Sequence, residues 1–367
     1  MKFKCARDYL LSILNIIAKA VAIKPSTPAL GGIYLKVVGD NLEVQANNYI
    51  LGMSSKIIVE SERDGEVVVI GKKFLDVVRA MPDAMLTVSR EIGSNYLEIS
   101  VGKSSYSIAT FNIADFPKVT QNDAESSFII EAGVLKNLIN RTVFACAKEE
   151  NYPIYTGCLF DIKDDSINVA ATNMHRLAVA SAMLTENSNP MRFIVPGDVL
   201  RNISEMLPDD DSRIRIDYFG KNVSFDINQV FVKARIIDGN YPDYQRVIPT
   251  SSSSFVEVDV ESLRDAVERL SIISREDPNK KMTFKFAPME LELSATSPEI
   301  GTGTETIPSK LDGAAITISF NSSYLLDVLK VLRDGKCKIS MDGELGAADI
   351  RPIDDEQFVY VVTPVRG

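Results

Sequence analysis

The chain has 367 residues, 45% hydrophobic and 25% charged, with a formal net charge of −10; at roughly 100–200 residues per domain that allows two or three domains with ample core. No apolar run approaches the roughly 18 residues needed to span a membrane, and Met1-Lys2-Phe3-Lys4-Cys5 leads into no apolar segment with a small-residue cleavage site, so membrane and exported classes are excluded and a cytoplasmic location is expected. The acidic balance excludes a protein that binds nucleic acid over its whole surface. The cysteines, Cys5, Cys146, Cys158 and Cys337, stand far apart without a CxxC pair, so buried thiols in a reducing compartment are expected in place of a zinc or redox site, and no cofactor is implied.

Taken in chain order, the elements repeat. Lys2-Phe3-Lys4 precedes an amphipathic helix from Tyr9 to Val21. Two strands with period-two alternation follow, Ile33 to Val37 and Leu42 to Ala46, ending in Asn47-Asn48. Val67-Val68-Val69-Ile70 then enters a second helix, Phe74 to Met81. The same layout returns as Ser127 to Ile130, a helix from Val134 to Ala147, strands Cys158 to Ile162 and Ile167 to Ala171 ending in Thr172-Asn173, and Phe193-Ile194-Val195 before a helix from Val199 to Leu207. It returns once more as Ser254 to Val258, a helix from Leu263 to Ile273, strands Met282 to Phe286 and Leu291 to Ala295 ending in Thr296-Ser297, and Ile316 to Phe320 before a helix from Tyr324 to Leu332. The polar strand ends recur at intervals of 125 and 124 residues, from 47 to 172 to 296. That period is too long for solenoid units of roughly 20–45 residues. We read three similar α+β domains, 1–124, 125–252 and 253–367, each with two helices and antiparallel sheets, joined at 120–125 and at Ser251-Ser252-Ser253-Ser254.

Charge follows the same division. None of the six helical segments 7–24, 72–79, 135–148, 200–206, 262–275 and 324–336 is net negative, although the whole chain carries −10. The helices are therefore expected to share a basic surface, with an acidic exterior on the sheets. If two helices per domain lined a closed ring at about 10 Å each, one chain would give a bore of about 9 Å. Two chains would give about 28 Å, wide enough for duplex DNA with water around it. A DNA-encircling ring needs at least a dimer, so one chain would form half of it.

Four stretches carry a resemblance: Ala171-Thr172-Asn173-Met174-His175-Arg176-Leu177-Ala178, Asp238-Gly239-Asn240-Tyr241-Pro242-Asp243-Tyr244-Gln245-Arg246-Val247-Ile248-Pro249, Phe320-Asn321-Ser322-Ser323-Tyr324-Leu325-Leu326-Asp327-Val328-Leu329, and Tyr360-Val361-Val362-Thr363-Pro364-Val365-Arg366. In order and spacing they resemble the bacterial DNA polymerase III beta subunits, the sliding clamps. The resemblance implies clamp-type domains and a head-to-tail homodimer that encircles duplex DNA without sequence preference. It also implies docking of the replicative polymerase, clamp loader and repair proteins through short hydrophobic peptides, with no catalysis and no membrane contact.

Carried over residue by residue, the resemblance places a peptide cleft at Tyr155, Thr172, His175, Arg176, Leu177, Pro242, Arg246, Val247, Tyr324, Leu345, Val361, Thr363, Pro364, Val365 and Arg366. It places the dimer seam at Lys73, Tyr106 and Ile108 against Ile272 and Ile273 of another copy, and DNA contacts at Lys24, Arg79, Arg141, Lys148 and Lys330. Asn173-Met174, Tyr155 and Thr363 depart from the family pattern, which predicts a more polar, differently shaped cleft. Gly197-Asp198 and Glu149 also depart, which predicts a weaker hold of the second domain on DNA.

Two other classes compete on the residues alone. An enzyme would need a positioned cluster, yet His175 is the single histidine and there is no Gly-x-Ser-x-Gly or phosphate-cradling loop; Gly301-Thr302-Gly303 reads as a turn. A β-rich scaffold that binds protein but not DNA would show no salt-dependent retention on DNA.

Overall fold

The computed structural model describes residues 1–149 and 151–366. Among these residues are six α-helices: α1 Arg7–Ile17, α2 Gly71–Ala80, α3 Ala132–Thr142, α4 Gly197–Met206, α5 Val260–Ser274 and α6 Ser322–Leu332. Each starts two or three residues before its expected span, and in α3 and α5 the added turn itself begins on a buried apolar residue, Ala132 and Val260. Asp259 caps α5 by accepting the Ser262 N–H at 2.8 Å, and Asn321 caps α6 by accepting that of Ser323 at 3.0 Å. The tails expected of α1 and α3 tighten into 3₁₀ turns at Ala18–Ala20 and Val143–Ala145, the same place in two copies of the repeat.

The chain forms two compact units, Met1–Ala132 with Glu205–Ile236, and Gly133–Ser204 with Ile237–Gly367. The first holds an antiparallel arrangement of 13 strands and the second one of 10. These units cut through the middle copy of the repeat, and strand pairing is the reason. Val230–Arg235 adds antiparallel to Leu51–Ile58, with Val230 opposite Ser55 and Ala234 opposite Leu51. In the second unit Phe358–Val362 adds in the same way to Arg176–Pro196, with Arg176 opposite Val362 and Ala180 opposite Phe358. Each pairing satisfies backbone groups that an edge strand would leave open.

In the middle copy the two expected strands run as one, Gly157–Thr172. Its register against Arg176–Pro196 shifts between Ile162 and Ser166, where Asp164 takes a left-handed φ of 56°. The second unit's core beneath the site contains Leu159, Ala170, Leu177, Val179, Ile194, Tyr241, Tyr244, Val359 and Val361. These come from both halves of that strand, from Arg176–Pro196, from Phe358–Val362 and from the linker after Ile237.

Candidate functional site

A cavity of about 380 Å³ opens over this core. Its floor contains Leu177 and Val361, buried cross-strand partners in the ladder just described. One wall is the 3₁₀ turn Pro153–Thr156, whose Tyr155 ring meets Tyr241 edge-on at 6.1 Å. The linker supplies Tyr241, Pro242, Asp243, Tyr244 and Val247. Met174 and Val247 are 54% and 56% exposed, so apolar surface waits at the mouth.

The loop 172–177 is fixed by its own short polar side chains. Thr172 Oγ1 accepts the Met174 N–H at 3.0 Å and donates to the Arg176 carbonyl at 2.6 Å. Asn173 Oδ1 accepts the N–H groups of His175 and Arg176, both at 3.1 Å. Met174 pays for this turn with a left-handed φ of 74°. The Thr363 N–H donates to the His175 carbonyl at 2.9 Å, holding the chain end against the loop.

Arg176 is 6% exposed. It donates to Asp327 Oδ2 at 2.6 Å and to the Phe144 carbonyl, and its guanidinium lies 4.6 Å from the Tyr324 ring centroid and 5.5 Å from that of Phe144. A cation taken out of water needs such partners. Arg176 therefore ties the cavity loop to α6. Tyr244 donates to Asp161 Oδ2 at 3.3 Å; burial first, then the Asp161 charge, push its hydroxyl up to about 12, so it stays a neutral donor.

Of the fifteen cleft residues expected from the sequence, Tyr155, Thr172, His175, Arg176, Leu177, Pro242, Val247, Val361 and Thr363 line this cavity. Tyr324, Pro364, Val365 and Arg366 line a second hollow with His175, Thr363, Asn279 and Asn321. Arg246 and Leu345 line neither: the Arg246 side chain is 85% exposed and paired with Asp243 at 2.9 Å, and Leu345 is 71% exposed. Tyr241, Asp243, Tyr244 and Ala347 also line the cavity without having been singled out. The first three flank Pro242 in the stretch quoted above, so position beside that proline was the available signal.

The other expected residues fall into different surroundings. Tyr106 and Ile272 are 50% and 61% exposed, and Lys73 is exposed, whereas Ile108 is buried in its own unit. Ile273 is half-buried, packed so closely on the strand Gly301–Gly313 that a Cβ at Gly303 would lie 2.7 Å from it. Lys24, Arg79, Lys148 and Lys330 are exposed. Arg141 is half-buried, donating to Asp355 and lying 5.5 Å from the Phe358 ring. Gly197 has a local cause: a Cβ there would lie 3.0 Å from the Thr156 carbonyl and 3.3 Å from Cys146 Sγ. Asp198 pairs with Arg201 at 2.6 Å.

One expectation needs correcting. All four cysteines are buried, but spacing concealed that Cys146 and Cys158 meet, with their sulfurs 3.6 Å apart. The turn that separates them in sequence returns the chain to the same place.

Three α+β repeats, with the last strand of one added to the sheet of the one before and a cleft beside the second linker, define a specific class of chain. Models of the DNA polymerase III beta subunit match it in order: the N-terminal domain over residues 1–120, the central domain over 129–243 and the C-terminal domain over 245–366. The chain belongs to the DNA polymerase III beta subunit family. It is 31% identical to the beta sliding clamp of Bacillus subtilis over 378 residues and 30% identical to that of Vibrio cholerae over 368, covering all of both chains in each case. Among solved structures, the DNA polymerase sliding clamp of Bacillus subtilis matches with a TM-score of 0.95 at 29% identity, over 100% of this chain and 99% of that one. A sliding clamp of Pseudomonas aeruginosa bound to griselimycin matches at 0.94 and 26%, over all of both chains.

Proposed function

We propose that the chain is a DNA sliding clamp that works without catalysis, as a cytoplasmic head-to-tail homodimer of three-domain chains, 1–124, 125–252 and 253–367, closed around duplex DNA. In this reading the cleft of the second unit tethers the replicative polymerase, clamp loader and repair proteins. The observation that carries it is a cavity with an apolar floor and polar rim, lined by nine of the residues that the family pattern assigns to peptide docking. Such a lining suits a short segment with an apolar anchor: Leu177, Pro242, Val247 and Val361 offer area, while exposed His175 can orient polar groups and buried Arg176 holds the loop in place.

The strand Ser104–Phe111 supports the dimer. It pairs along Tyr96–Val101, but with Gly65–Ile70 only through Thr110 and Phe111, so part of one edge stays open beside exposed Tyr106. Ile272 offers exposed apolar surface for the other side of such a seam. Exposed Lys24, Arg79, Lys148 and Lys330 suit phosphate contacts that read no sequence. In the middle domain Arg141 is paired to Asp355 and Arg201 to Asp198.

Light scattering tests the assembly: the solution mass is expected near twice 40.4 kDa. Retention on DNA tests encirclement. A closed ring is expected to stay on a circular duplex at salt that strips it from a linear one, because topology rather than contact energy holds it. Equal loss from both forms at every salt concentration would count against encirclement, and no retention on either would favour the protein-binding scaffold.

A further inference from the structure

Two thiols meet directly behind the cleft wall. Cys146 follows the 3₁₀ turn Val143–Ala145 and Cys158 is the second residue of Gly157–Thr172. Both are buried, their sulfurs are 3.6 Å apart, and Thr142 Oγ1 lies 3.9 Å from that of Cys158. The chain between them is the wall itself: it carries Tyr155, and the Ala147 N–H donates to the Tyr155 carbonyl at 2.8 Å. A cation stands close by, since Arg201 donates to the Val143 carbonyl at 3.3 Å. Residues 148, 149, 151, 152 and 153 are exposed, whereas Ile154 and Tyr155 pack against the core cluster, so an oxidant reaches the sulfurs only when that part of the wall lifts locally.

A disulfide requires sulfurs about 2.05 Å apart, so side-chain rotation and a small shift of the wall must close about 1.5 Å. We propose that Cys146 and Cys158 are an oxidisable dithiol that a peroxide converts to a disulfide, tying the two ends of the cleft wall together. One sulfur, as thiolate, attacks the peroxide O–O bond, takes one oxygen to become a sulfenic acid and releases the other as water after protonation. The second sulfur then displaces that hydroxyl, forming the S–S bond and a second water. Two thiols lose two electrons and two protons in all, and hydrogen peroxide is reduced to two waters. Burial first, and Cys146 second, hold the Cys158 thiol protonated at rest, so the reaction waits on opening of the wall. The consequence for docking rests on the peptide reading above: a wall drawn toward Cys158 shifts Tyr155 away from its place beside Tyr241.

The test uses the full-length chain. After hydrogen peroxide, unfolding and alkylation of the remaining thiols, mass spectrometry of a digest is expected to find residues 146 and 158 cross-linked and reducible, with Cys5 and Cys337 alkylated. Four alkylated thiols, or separate sulfinic acids at 146 and 158, overturn the dithiol. Cys158→Ser is expected to remove the cross-link with the circular dichroism spectrum unchanged. A labelled peptide with a Leu-Phe anchor is expected to bind the oxidised chain about threefold or more weakly than the reduced one, a shift of at least about 0.6 kcal/mol. Equal affinity overturns the coupling to the wall. Binding by neither form, with the cross-link present, instead overturns the peptide reading and leaves the dithiol standing.

Discussion

The two linkers of this chain run over equivalent ground and end differently. In the first unit the turn Pro28–Gly31, the loop after Asn47 and the linker Phe116-Pro117-Lys118-Val119 occupy the positions that Pro153–Thr156, the loop after Thr172 and Tyr241-Pro242-Asp243-Tyr244 occupy in the second. The correspondence reaches single bonds. The Ala22 N–H donates to the Leu30 carbonyl as that of Ala147 does to Tyr155, and Tyr49 sits at φ 70° as Met174 does at 74°. Yet the first linker is clamped. The Gln45 side chain accepts the Val119 N–H at 2.8 Å and donates to the Val119 carbonyl at 3.2 Å, while Asn47 Nδ2 donates to the Pro117 carbonyl at 2.9 Å. At the place of Gln45 the second unit has Ala170, and at the place of Asn47 it has Thr172, whose hydroxyl is spent on its own loop. With Ala170 where the first unit has Gln45, the second linker packs by its rings instead: Tyr241 and Tyr244 are buried in the core with Ala170, and the cavity opens beside them. The same layout thus holds one linker by the side-chain amides of Gln45 and Asn47 and the other by buried tyrosine rings that border a cavity.

Removing the chain from Thr363 onward is expected to have the largest effect. It deletes part of the rim and the bonds from Thr363 N–H to His175 and from Val365 N–H to Ser319, but leaves the paired strand Phe358–Val362 in place. Fluorescence titration with a labelled apolar peptide should show binding abolished, while light scattering shows an unchanged dimer. Unaltered affinity would mean that the open joint is not the docking site.

Ala170→Gln carries the clamp into the second unit. Ala170 is fully buried, so the added atoms should cost about 1–3 kcal/mol of stability in a denaturant titration. An amide that reaches the Tyr244 backbone should also lower peptide affinity about tenfold, or about 1.4 kcal/mol. A cleft that still binds at full strength would refute the clamp as the cause of closure.

The reverse change, Gln45→Ala, leaves the buried Val119 N–H and carbonyl without partners and is expected to cost about 1–3 kcal/mol. Peptide affinity of the second unit should not move, and hydrogen exchange should quicken at Val119. Thr363→Met should have the smallest effect. Thr363 lines the cavity and is exposed, so a longer apolar side chain can fill space there and tighten a peptide with an apolar anchor by up to about 1 kcal/mol. No gain would indicate that Tyr155, on the same cavity, already occupies that volume.

The sequence by itself determined the elements and their order. Apolar spacing of three and four marked all six helices, and the recurring polar strand ends at 47, 172 and 296 marked the repeat, because these signals are local and each is printed three times. The cleft was partly legible for a different reason: Thr172, Arg176 and Leu177 lie in one stretch and Pro242 and Val247 in another, and a family pattern joins stretches that periodicity cannot. Tertiary structure decided the rest. Alternation gave no special role to Gln45, since only the path of a linker some seventy residues away makes it a clamp. The four cysteines looked isolated because distance along the chain says nothing about a turn that folds Cys146 back on Cys158. The resemblance gave Arg141 as a DNA contact and Arg246 as a cleft residue, yet the turn and strand at 355–358 bring Asp355 and Phe358 to Arg141, whereas Arg246 pairs with Asp243 of its own turn and keeps its charge in solvent. Which strand adds to which sheet, and so where one compact unit ends, was settled by hydrogen-bond ladders between distant segments, and no local pattern encodes those.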